Sequence, residues 1–308
     1  MRDCFIQTLS TLAARDPRIM LITGDLGFKV FDDYRARLPQ QFINAGVAEQ
    51  NMTLVATGMA LEGHVVFTYS IGNFPTLRCL EMIRNDAAYH DANVKVVSIG
   101  GGFSYGQLGI SHHATEDLAI MRSLPGVTCL SPTSLWEVTE ATKALVTTPG
   151  TCFLRLDKDK GPDGPAEEPF VLGRPRLLRR GRDVAFFTTG GILSELITAS
   201  DVLESAGISC SIYAVHTLKP LEPARFVEAA RSHRAVVTVE EHTIHGGLGG
   251  LVLETLADAG AFPAKFLRIG LEGCFSSVVG SQAHLRTAYA MDAASIVRRT
   301  RVLLSSPS

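Results

Sequence analysis

The 308-residue sequence is short of charge. Asp, Glu, Lys and Arg together make up 19% of the residues and the formal net charge is −2, whereas an average soluble protein has about 25% charged residues. No Lys- or Arg-rich stretch alternates with aromatic residues, as a nucleic-acid surface would require. We therefore expect no nucleic-acid partner. Because 46% of the residues are apolar, we expect extensive burial and an oligomer rather than a monomer.

Paired cysteines and long apolar runs are also missing. The six cysteines are scattered without a CxxC motif, which predicts reduced core residues of a cytoplasmic protein and no metal site. No apolar run is long enough to span a bilayer, and residues 1–20 alternate apolar and polar side chains at helical spacing, unlike a signal peptide. The sequence therefore predicts a cytoplasmic protein that does not associate with membranes.

Two stretches of the sequence alternate short apolar runs with helical patterns, which is typical of a parallel sheet covered by helices on both faces. Between them lies DKDKGPDGPAEEP (157–169), whose Pro, Gly and charges fit neither a helix nor a central strand. The pattern predicts the α/β class, with two doubly wound domains at 1–156 and 183–308 and a linker at 157–182. The predicted strands are 19–23, 64–68, 94–99, 127–130 and 152–156 in the first domain, and 184–189, 208–215, 235–239 and 264–269 in the second.

The segment FINAGVAEQNMTLVATGMALEG (42–63) carries the most chemical information. A glycine-containing turn leads into a predicted helix at 49–61, and Glu49 is its first residue. From position alone, Glu49 would be an acid that complements the helix dipole. However, GVAEQ and the small residues after it resemble the pyrimidine-binding domain of transketolases and deoxyxylulose-phosphate synthases. The resemblance covers nearly the whole chain and implies a Rossmann-like transketolase C-terminal domain in the second half.

The resemblance assigns Glu49 both a catalytic and a cofactor-binding role. In that family the matching glutamate hydrogen-bonds N1′ of the aminopyrimidine ring of thiamine diphosphate. A proton shared at N1′ favours the imino tautomer of the 4′-amino group, which can then accept the proton from C2 of the thiazolium ring. The implied activity is the transfer of a two-carbon ketol unit between sugar or sugar-phosphate substrates.

Other cofactor contacts are implied at nearby positions. The segment TYSIGNFPTLRCLEMIRND (68–86) matches the part of the family whose aromatic residues clamp the pyrimidine ring. Phe74 fits one of these positions, while Ile71 and Leu77 replace two others with aliphatic side chains. Without the resemblance, Phe74 would equally well be an ordinary core residue. Asp25, in TGDLG, matches an acid near the thiazolium side of the cofactor.

The glycine-rich segment GGGFSYGQLGISHHATED (100–117) matches the substrate loop of the family. His112 matches a catalytic histidine that can hydrogen-bond a developing alkoxide on the substrate. Gly100 stands where the family has another histidine. Leu108 stands where an acid meets a sugar hydroxyl, and Gln107 beside it is the polar candidate for substrate binding. The choice of substrate stays open, because hydroxyl recognition depends on the hydrogen-bond partner.

Two cationic residues are candidates for a substrate phosphate. Arg155 matches an arginine that binds the acceptor phosphate through two hydrogen bonds; the alternative is a solvated arginine near the domain boundary. Lys29 stands where the family has a phosphate-contacting serine. The adjacent pair His112 and His113 invites a metal-site interpretation, but neighbouring side chains tend to point apart and no carboxylates complete a ligand set.

The sequence contains no GDG motif, which in enzymes of this type holds the divalent ion of the cofactor. We therefore expect a separate N-terminal transketolase subunit that carries GDG, binds the diphosphate and holds Mg²⁺ or Ca²⁺. Thiamine diphosphate would be shared between the two chains, and the expected assembly is α2β2. Two alternatives remain at this point: the β subunit of a 2-oxoacid dehydrogenase, which shares the domain layout and the glutamate, and a non-catalytic paralogue.

Overall fold

A computed structural model of the chain describes residues 1–27, 29–163 and 168–306. Residue 28 of the predicted first domain, residues 164–167 of the predicted linker, and residues 307 and 308 of the predicted second domain lie outside the described part. The strands are β1 (Ile19–Thr23), β2 (Phe42–Asn44), β3 (Val65–Ile71), β4 (Val94–Ile99), β5 (Thr128–Leu130), β6 (Cys152–Leu156), β7 (Arg176–Arg179), β8 (Val184–Thr188), β9 (Cys210–Ala214), β10 (Thr217–Lys219), β11 (Ala235–Thr243) and β12 (Phe266–Leu271).

The α-helices alternate with these strands along most of the chain. They are α1 (Arg2–Ala13), α2 (Asp32–Arg37), α3 (Glu49–Leu61), α4 (Leu80–Met82), α5 (Asp117–Ser123), α6 (Leu135–Thr147), α7 (Leu193–Ser205), α8 (Ala224–Ser232), α9 (Leu248–Asp258), α10 (Gln282–Ala288) and α11 (Ala293–Ser305). A π-helical segment, Ile83–Ala88, continues α4. Among the described residues, no helix has both the length and the apolar content needed to cross a membrane.

The first sheet has seven strands in the order β10-β5-β6-β4-β3-β1-β2, and all except β10 are parallel. Successive residues of β3 face opposite sides, as strand geometry requires. Phe67 packs in a core with residues of α1, α2 and α6, whereas Val66 packs in a second core with residues of α3 and α5. Burial on both faces explains why the strands are almost continuously apolar.

The second sheet has five strands in the order β12-β11-β8-β9-β7, and β7 alone is antiparallel. Phe186 of β8 packs with residues of α7 and α11, and its neighbour Phe187 packs with residues of α8 and α9. Both halves are therefore parallel α/β layers with one antiparallel edge strand. The predicted fold class is confirmed, with that addition.

Three short strands were not predicted. β2 and β10 have three residues each and β7 has four, so none has the apolar run on which the prediction relied. β7 lies inside the predicted linker at 157–182, yet it pairs with β9 of the second sheet. β10 follows β9 in the chain but pairs with β5 of the first sheet. The domain limits stay a prediction, and the contacts of β10 show that the two halves share a sheet.

The sheet topology gathers several loops at one edge. β1, β3 and β4 are parallel neighbours, so the loops that follow them emerge at the same end of the sheet. These loops carry Asp25, Phe74 and His112. The N-terminus of α3, with Glu49, follows β2 at the same edge. Ligand sites in parallel α/β sheets lie at the carboxyl ends of the strands, and this edge is the candidate site.

Candidate functional site

Glu49 is buried at the start of α3, with only 4% of its side chain exposed. Arg78 Nη1 donates a hydrogen bond to Glu49 Oε2 at 2.8 Å. Within the described residues, no other group donates to this carboxylate. A Cβ atom on Gly24 would lie 3.4 Å from Glu49 Cγ, so the loop after β1 passes directly against the glutamate. The carboxylate is therefore held from one side while Oε1 keeps its hydrogen-bonding capacity.

Arg78 and Phe74 connect Glu49 to His112. The Arg78 guanidinium lies over the Phe74 ring, 4.9 Å from Cζ to the ring centroid, which is a cation–π contact. The rings of Phe74 and His112 meet edge to face, with centroids 5.2 Å apart. The structure thus brings together Glu49, Phe74 and His112, which the sequence predicted to lie in the site. Arg78, which was not predicted, connects them.

The imidazole of His112 is suited to neutral-pH hydrogen bonding. Burial lowers the pKa of His112 below its ordinary value, and the neighbouring His113 lowers it further. The ring is consequently neutral at pH 7. Ser111 Oγ lies 3.0 Å from His112 Nδ1 and fixes one ring nitrogen, so Nε2 is the nitrogen left for a ligand.

The remaining predicted cofactor residues surround this group less closely. The carbonyl of Ile71, at the end of β3, accepts a hydrogen bond from the Phe74 N–H at 2.9 Å. Leu77 is exposed beside Arg78. Asp25 is exposed and exchanges hydrogen bonds of 3.0 Å with Asn44, its N–H donating to Asn44 Oδ1 and its carboxylate accepting from Asn44 Nδ2. The position of Asp25 is thus fixed next to Gly24, but its contacts are with Asn44.

The predicted substrate residues are more dispersed. Gln107 is exposed in a short 3-10 helix, as is Leu108. Lys29 is exposed and has a positive φ of 66°. It lines a separate cavity beside α1 and α2, together with Asp33 and Arg37. The structure therefore does not bring Lys29 together with His112.

Arg155 is not placed where a substrate phosphate could reach it. Its side chain is 2% exposed and each of its three nitrogens has a partner: Nε donates to Asp157 Oδ1 at 3.0 Å and Nη2 to the Glu241 carbonyl at 3.0 Å. Nη1 faces Asp117 at 3.5 Å. Burial acts to lower the pKa of Arg155, but these acids raise it above its ordinary value. The structure thus corrects the prediction of a phosphate ligand, because the domain interface encloses the guanidinium.

We call the group formed by Arg155, Asp117, Asp157, Glu241 and Arg286 the interface cluster. Arg286 Nε donates to Glu241 Oε2 in the second domain, while Asp157 Oδ2 accepts from the Gly191 N–H at 2.6 Å. Burial raises the pKa of Asp117 to about 6, although Arg155 opposes the shift. The cluster therefore holds the two domains together through charges that solvent does not reach.

The glycines at the start of the substrate loop have a structural explanation. A Cβ atom on Gly101 would overlap Arg155 Nε, and one on Gly102 would overlap Glu241 Oε1. A Cβ atom on Gly100, which has a φ of 93°, would overlap the ring of Tyr105. Each glycine makes room for a different side chain. The glycine-rich pattern therefore reflects close packing at the domain interface.

The adjacent histidines face different surroundings. His112 contacts Phe74, whereas His113 is buried against Phe103 and its Nε2 lies 3.1 Å from the Gly106 carbonyl. Among residues 1–27, 29–163 and 168–306, no three His, Cys, Asp or Glu residues are grouped so as to hold a metal ion.

Sequence reasoning missed Arg78 and Tyr105. Arg78 lies 29 residues from Glu49, and nothing in the local pattern connects them. Its place within the 68–86 segment, beside Phe74, was the available signal. Tyr105 lies in the substrate loop with its ring centroid 6.2 Å from that of His112. The neighbouring Gly100 was the signal here, because a missing side chain leaves space that another must fill.

Comparison with known proteins identifies the family. Residues 1–163 match the family described as transketolase, pyrimidine binding domain, and residues 173–296 match transketolase, C-terminal domain. The chain belongs to the transketolase family. The family predicted from GVAEQ is confirmed, and transketolase membership implies dependence on thiamine diphosphate.

Similar proteins include separate transketolase subunits. The chain is 34% identical over 303 residues to a putative transketolase C-terminal section of Methanocaldococcus jannaschii, covering 97% of this chain and 94% of that protein. It is 33% identical to a subunit of the apulose-4-phosphate transketolase of Phocaeicola vulgatus, covering 83% of each chain. A solved structure described as a split gene transketolase in an inactive beta4 tetramer is 29% identical, with a TM-score of 0.87 and coverage of 99% and 97%.

The described residues fit one half of thiamine diphosphate. A buried carboxylate with an uncommitted oxygen beside an aromatic ring suits the aminopyrimidine. The Gly24 backbone, which approaches Glu49 closely, leaves space that a larger residue would fill. No acidic cluster for a diphosphate-bound metal accompanies this group among the described residues. The Glu49 site therefore matches the pyrimidine half.

Proposed function

We propose that the chain is the C-terminal subunit of a split transketolase-like enzyme that transfers a two-carbon ketol unit between sugar-like substrates. The observation that carries the proposal is the buried Glu49 carboxylate, held by Arg78 beside Phe74 and His112. The relatives named as transketolase subunits support it. We propose a cytoplasmic location, in line with the six unpaired cysteines of the sequence.

The residues of this chain would act at the pyrimidine. When bound, thiamine diphosphate would supply the nucleophilic carbon for reaction with the donor carbonyl. Glu49 would hold a proton at N1′, and its uncommitted Oε1 is the acceptor available for this hydrogen bond. Arg78 would keep the carboxylate in place, and Phe74 would pack against the ring with aliphatic support from Ile71 and Leu77. Asp25, on the loop that passes against Glu49, would lie near the cofactor, and we keep its proposed role at the thiazolium side from the family resemblance.

His112 would act on the substrate. Its neutral ring, fixed at Nδ1 by Ser111, can donate from Nε2 to an oxygen that becomes an alkoxide. Gln107, exposed in the same loop, would contact a sugar hydroxyl. The separation of Lys29 from this group argues against a shared role.

A partner subunit would supply the missing half of the site. We propose that it carries the GDG motif, binds the diphosphate and holds Mg²⁺ or Ca²⁺, in an α2β2 assembly. Large apolar side chains are exposed around Glu49: Val47 precedes it, Leu54 and Val55 lie on α3, and Leu77 adjoins Arg78. A partner subunit that covered these side chains would remove apolar surface from water. The inactive assembly of β chains in the similar split-gene structure agrees with a need for a second subunit.

Co-expression with a GDG-containing partner tests the proposal. The purified chain alone should be inactive, and the complex should show ketol transfer that depends on thiamine diphosphate. Glu49→Gln should lower kcat by about 10²-fold or more, because the proton at N1′ is lost. Glu62→Gln, an exposed residue at the other end of α3, is the matched control and should leave kcat unchanged.

Two results would count against the proposal. Near-normal turnover by Glu49→Gln would remove the activating role of the glutamate. Acyl transfer to lipoamide without ketol transfer would instead assign the complex to the 2-oxoacid dehydrogenases. A complex that forms with its partner, binds thiamine diphosphate and turns over neither type of substrate would identify a non-catalytic paralogue.

A further inference from the structure

The substrate loop, residues 100–117, lies in the first half of the chain but is held by the second. The Phe103 N–H, near the start of the loop, donates a hydrogen bond of 2.6 Å to Glu241 Oε1 on β11. The Gly106 carbonyl accepts a hydrogen bond of 3.2 Å from the Gly280 N–H. Because both partners lie beyond the linker, the shape of the loop depends on residues of the second domain.

The end of the loop is held in the same way. The Thr115 carbonyl accepts a hydrogen bond of 2.8 Å from the Thr243 N–H. Gly102 and Ala114 form an antiparallel bridge, in which the backbone groups exchange hydrogen bonds of 2.8 and 3.0 Å. Because this bridge closes the loop at its base, the two ends are coupled, and the segment between them, which carries His112, is fixed from both sides.

Glu241 is a fixed acceptor for the loop. Its side chain is 2% exposed, and Gln282 Nε2 donates to the same oxygen, Oε1, at 2.9 Å. Arg286 Nε donates to the other oxygen, Oε2. A Cβ atom on Gly102, which has a φ of 60°, would overlap Oε1. One carboxylate oxygen therefore serves the interface cluster, while the other holds the backbone of the loop at the closest approach that glycine allows.

Phe103 carries this constraint to the histidines. Its ring is fully buried and contacts two others: it stacks on Tyr289 of the second domain, with centroids 5.6 Å apart, and meets His113 edge to face at 5.0 Å. Tyr289 is itself fixed, because its hydroxyl donates to Ser276 Oγ at 2.8 Å. His113 adjoins His112 in the chain. The position of Phe103 therefore sets the backbone that presents His112.

We propose that Glu241 is a positioning residue for the reaction: through the Phe103 N–H it holds the substrate loop so that His112 faces the substrate. The inference rests on the proposed function for the role of His112. Glu241 itself is buried behind the loop and reaches the site only through Phe103 and His113. The second domain thus contributes to catalysis by setting the geometry of a loop that belongs to the first.

Hydrogen–deuterium exchange of the purified full chain tests the hold on the loop without any activity. In Glu241→Gln, the side chain keeps one acceptor oxygen and gains an NH2 group, so it cannot accept from both Arg286 and the Phe103 N–H. The charged guanidinium should keep the oxygen, because hydrogen bonds from charged donors are the stronger ones. Peptides from residues 100–117 should then exchange about tenfold faster or more than in the wild type.

Glu240→Gln is the matched control for this measurement. Glu240 is the neighbouring residue on β11, is also buried, and accepts hydrogen bonds of 2.7 Å from two backbone N–H groups at the start of α9, in its own domain. Its replacement should leave exchange in the loop unchanged. Tyr289→Leu, which removes the ring stacked on Phe103 from a partly exposed position, should speed exchange in the loop, and it serves where Glu241→Gln folds poorly.

A double-mutant cycle in the assembled enzyme tests the positioning role. Glu241→Gln should lower kcat by about tenfold or more when His112 is present, but by less than about twofold in a His112→Ala background, because it acts through that histidine. The apparent Kd for thiamine diphosphate should not change, since the Glu49 carboxylate is held by Arg78 and not by the loop. Glu240→Gln should change kcat by the same factor in both backgrounds.

Three results would overturn the proposal. Unchanged exchange in both Glu241→Gln and Tyr289→Leu would show that the second domain does not hold the loop. Equally fast exchange in Glu240→Gln would reduce Glu241 to a contributor to domain stability. An equal fall in kcat with and without His112 would remove the positioning role. A wild-type complex that shows no ketol transfer would contradict the proposed function instead, while the exchange experiment would still decide whether Glu241 holds the loop.

Discussion

Two groups of oppositely charged side chains in this molecule differ in how far they are exposed to solvent. In the site pair, Glu49 and Arg78, the carboxylate is buried but the arginine is 48% exposed, and Oε1 has no donor among the described residues. In the interface cluster, both Arg155 and Asp157 are 2% exposed and each nitrogen of Arg155 has a partner. The comparison teaches that capacity for a ligand depends on exposure and unused hydrogen bonds, and that residue type alone does not reveal it.

The largest expected difference between the two sets is in stability. Arg155→Met should lower the free energy of unfolding by about 3–5 kcal/mol, because it leaves Asp117 and Asp157 buried without their cation. Arg78→Met should change it by about 1 kcal/mol or less, as expected for a pair with one exposed partner. Urea unfolding of the purified chain measures both. Equal losses in the two variants would remove the distinction.

The second expected difference is in activity. Here the site pair should matter more than the interface cluster. In the assembled enzyme, Arg78→Met should lower kcat/KM by about tenfold or more, since a hydrogen bond to a charged group contributes about 1.5–3 kcal/mol. Arg84→Met, an exposed arginine of the following π-helical segment, is the matched control. Steady-state kinetics at saturating thiamine diphosphate would measure both variants. Unchanged kcat/KM in Arg78→Met would show that Glu49 does not need this partner.

The smallest expected difference is in pH dependence near the interface cluster. Burial lowers the pKa of His242 to about 3, and the ring faces Asp117 at 3.8 Å and Glu240 at 3.6 Å. As the pH falls from 6.5 toward 3, the unfolded chain binds a proton at His242 that the folded chain does not. The imidazole therefore lowers stability progressively on acidification, by up to about 1.4 kcal/mol per pH unit.

The two acids that face His242 act in the opposite direction. Burial raises the pKa of Glu240 to about 7 and that of Asp117 to about 6, so their contribution to stability is present at low pH and is lost as the pH rises through these values. His242→Asn removes only the imidazole. Relative to the wild type, the variant should become more stable as the pH falls from 6.5 to 5. Parallel stability curves in urea unfolding over this range would contradict the assignment.

The sequence predicted the regular elements better than the contacts between them. α3 begins and ends where its pattern indicated, and β1 does also, since periodicity and burial are local properties. β10 carries no such signal, because its three residues are fixed by pairing with β5 of the other half. The site roles of Glu49 and Phe74 were predicted from sequence motifs. Two of the three partners of Arg155 lie 38 and 86 residues away in the chain, so its enclosure could not be predicted from its surroundings in sequence.

β10 has a further consequence for how this protein can be divided. A fragment that ended at residue 163 would contain β1 to β6 of the first sheet but would lack β10. The edge of β5 that pairs with β10 would then have no neighbour. The exposed backbone N–H and C=O groups of such an edge invite pairing with other chains. A cut at the linker, although it falls between two recognisable modules, would therefore yield an aggregation-prone piece. For protein engineering, the exchangeable unit is the pair of domains together.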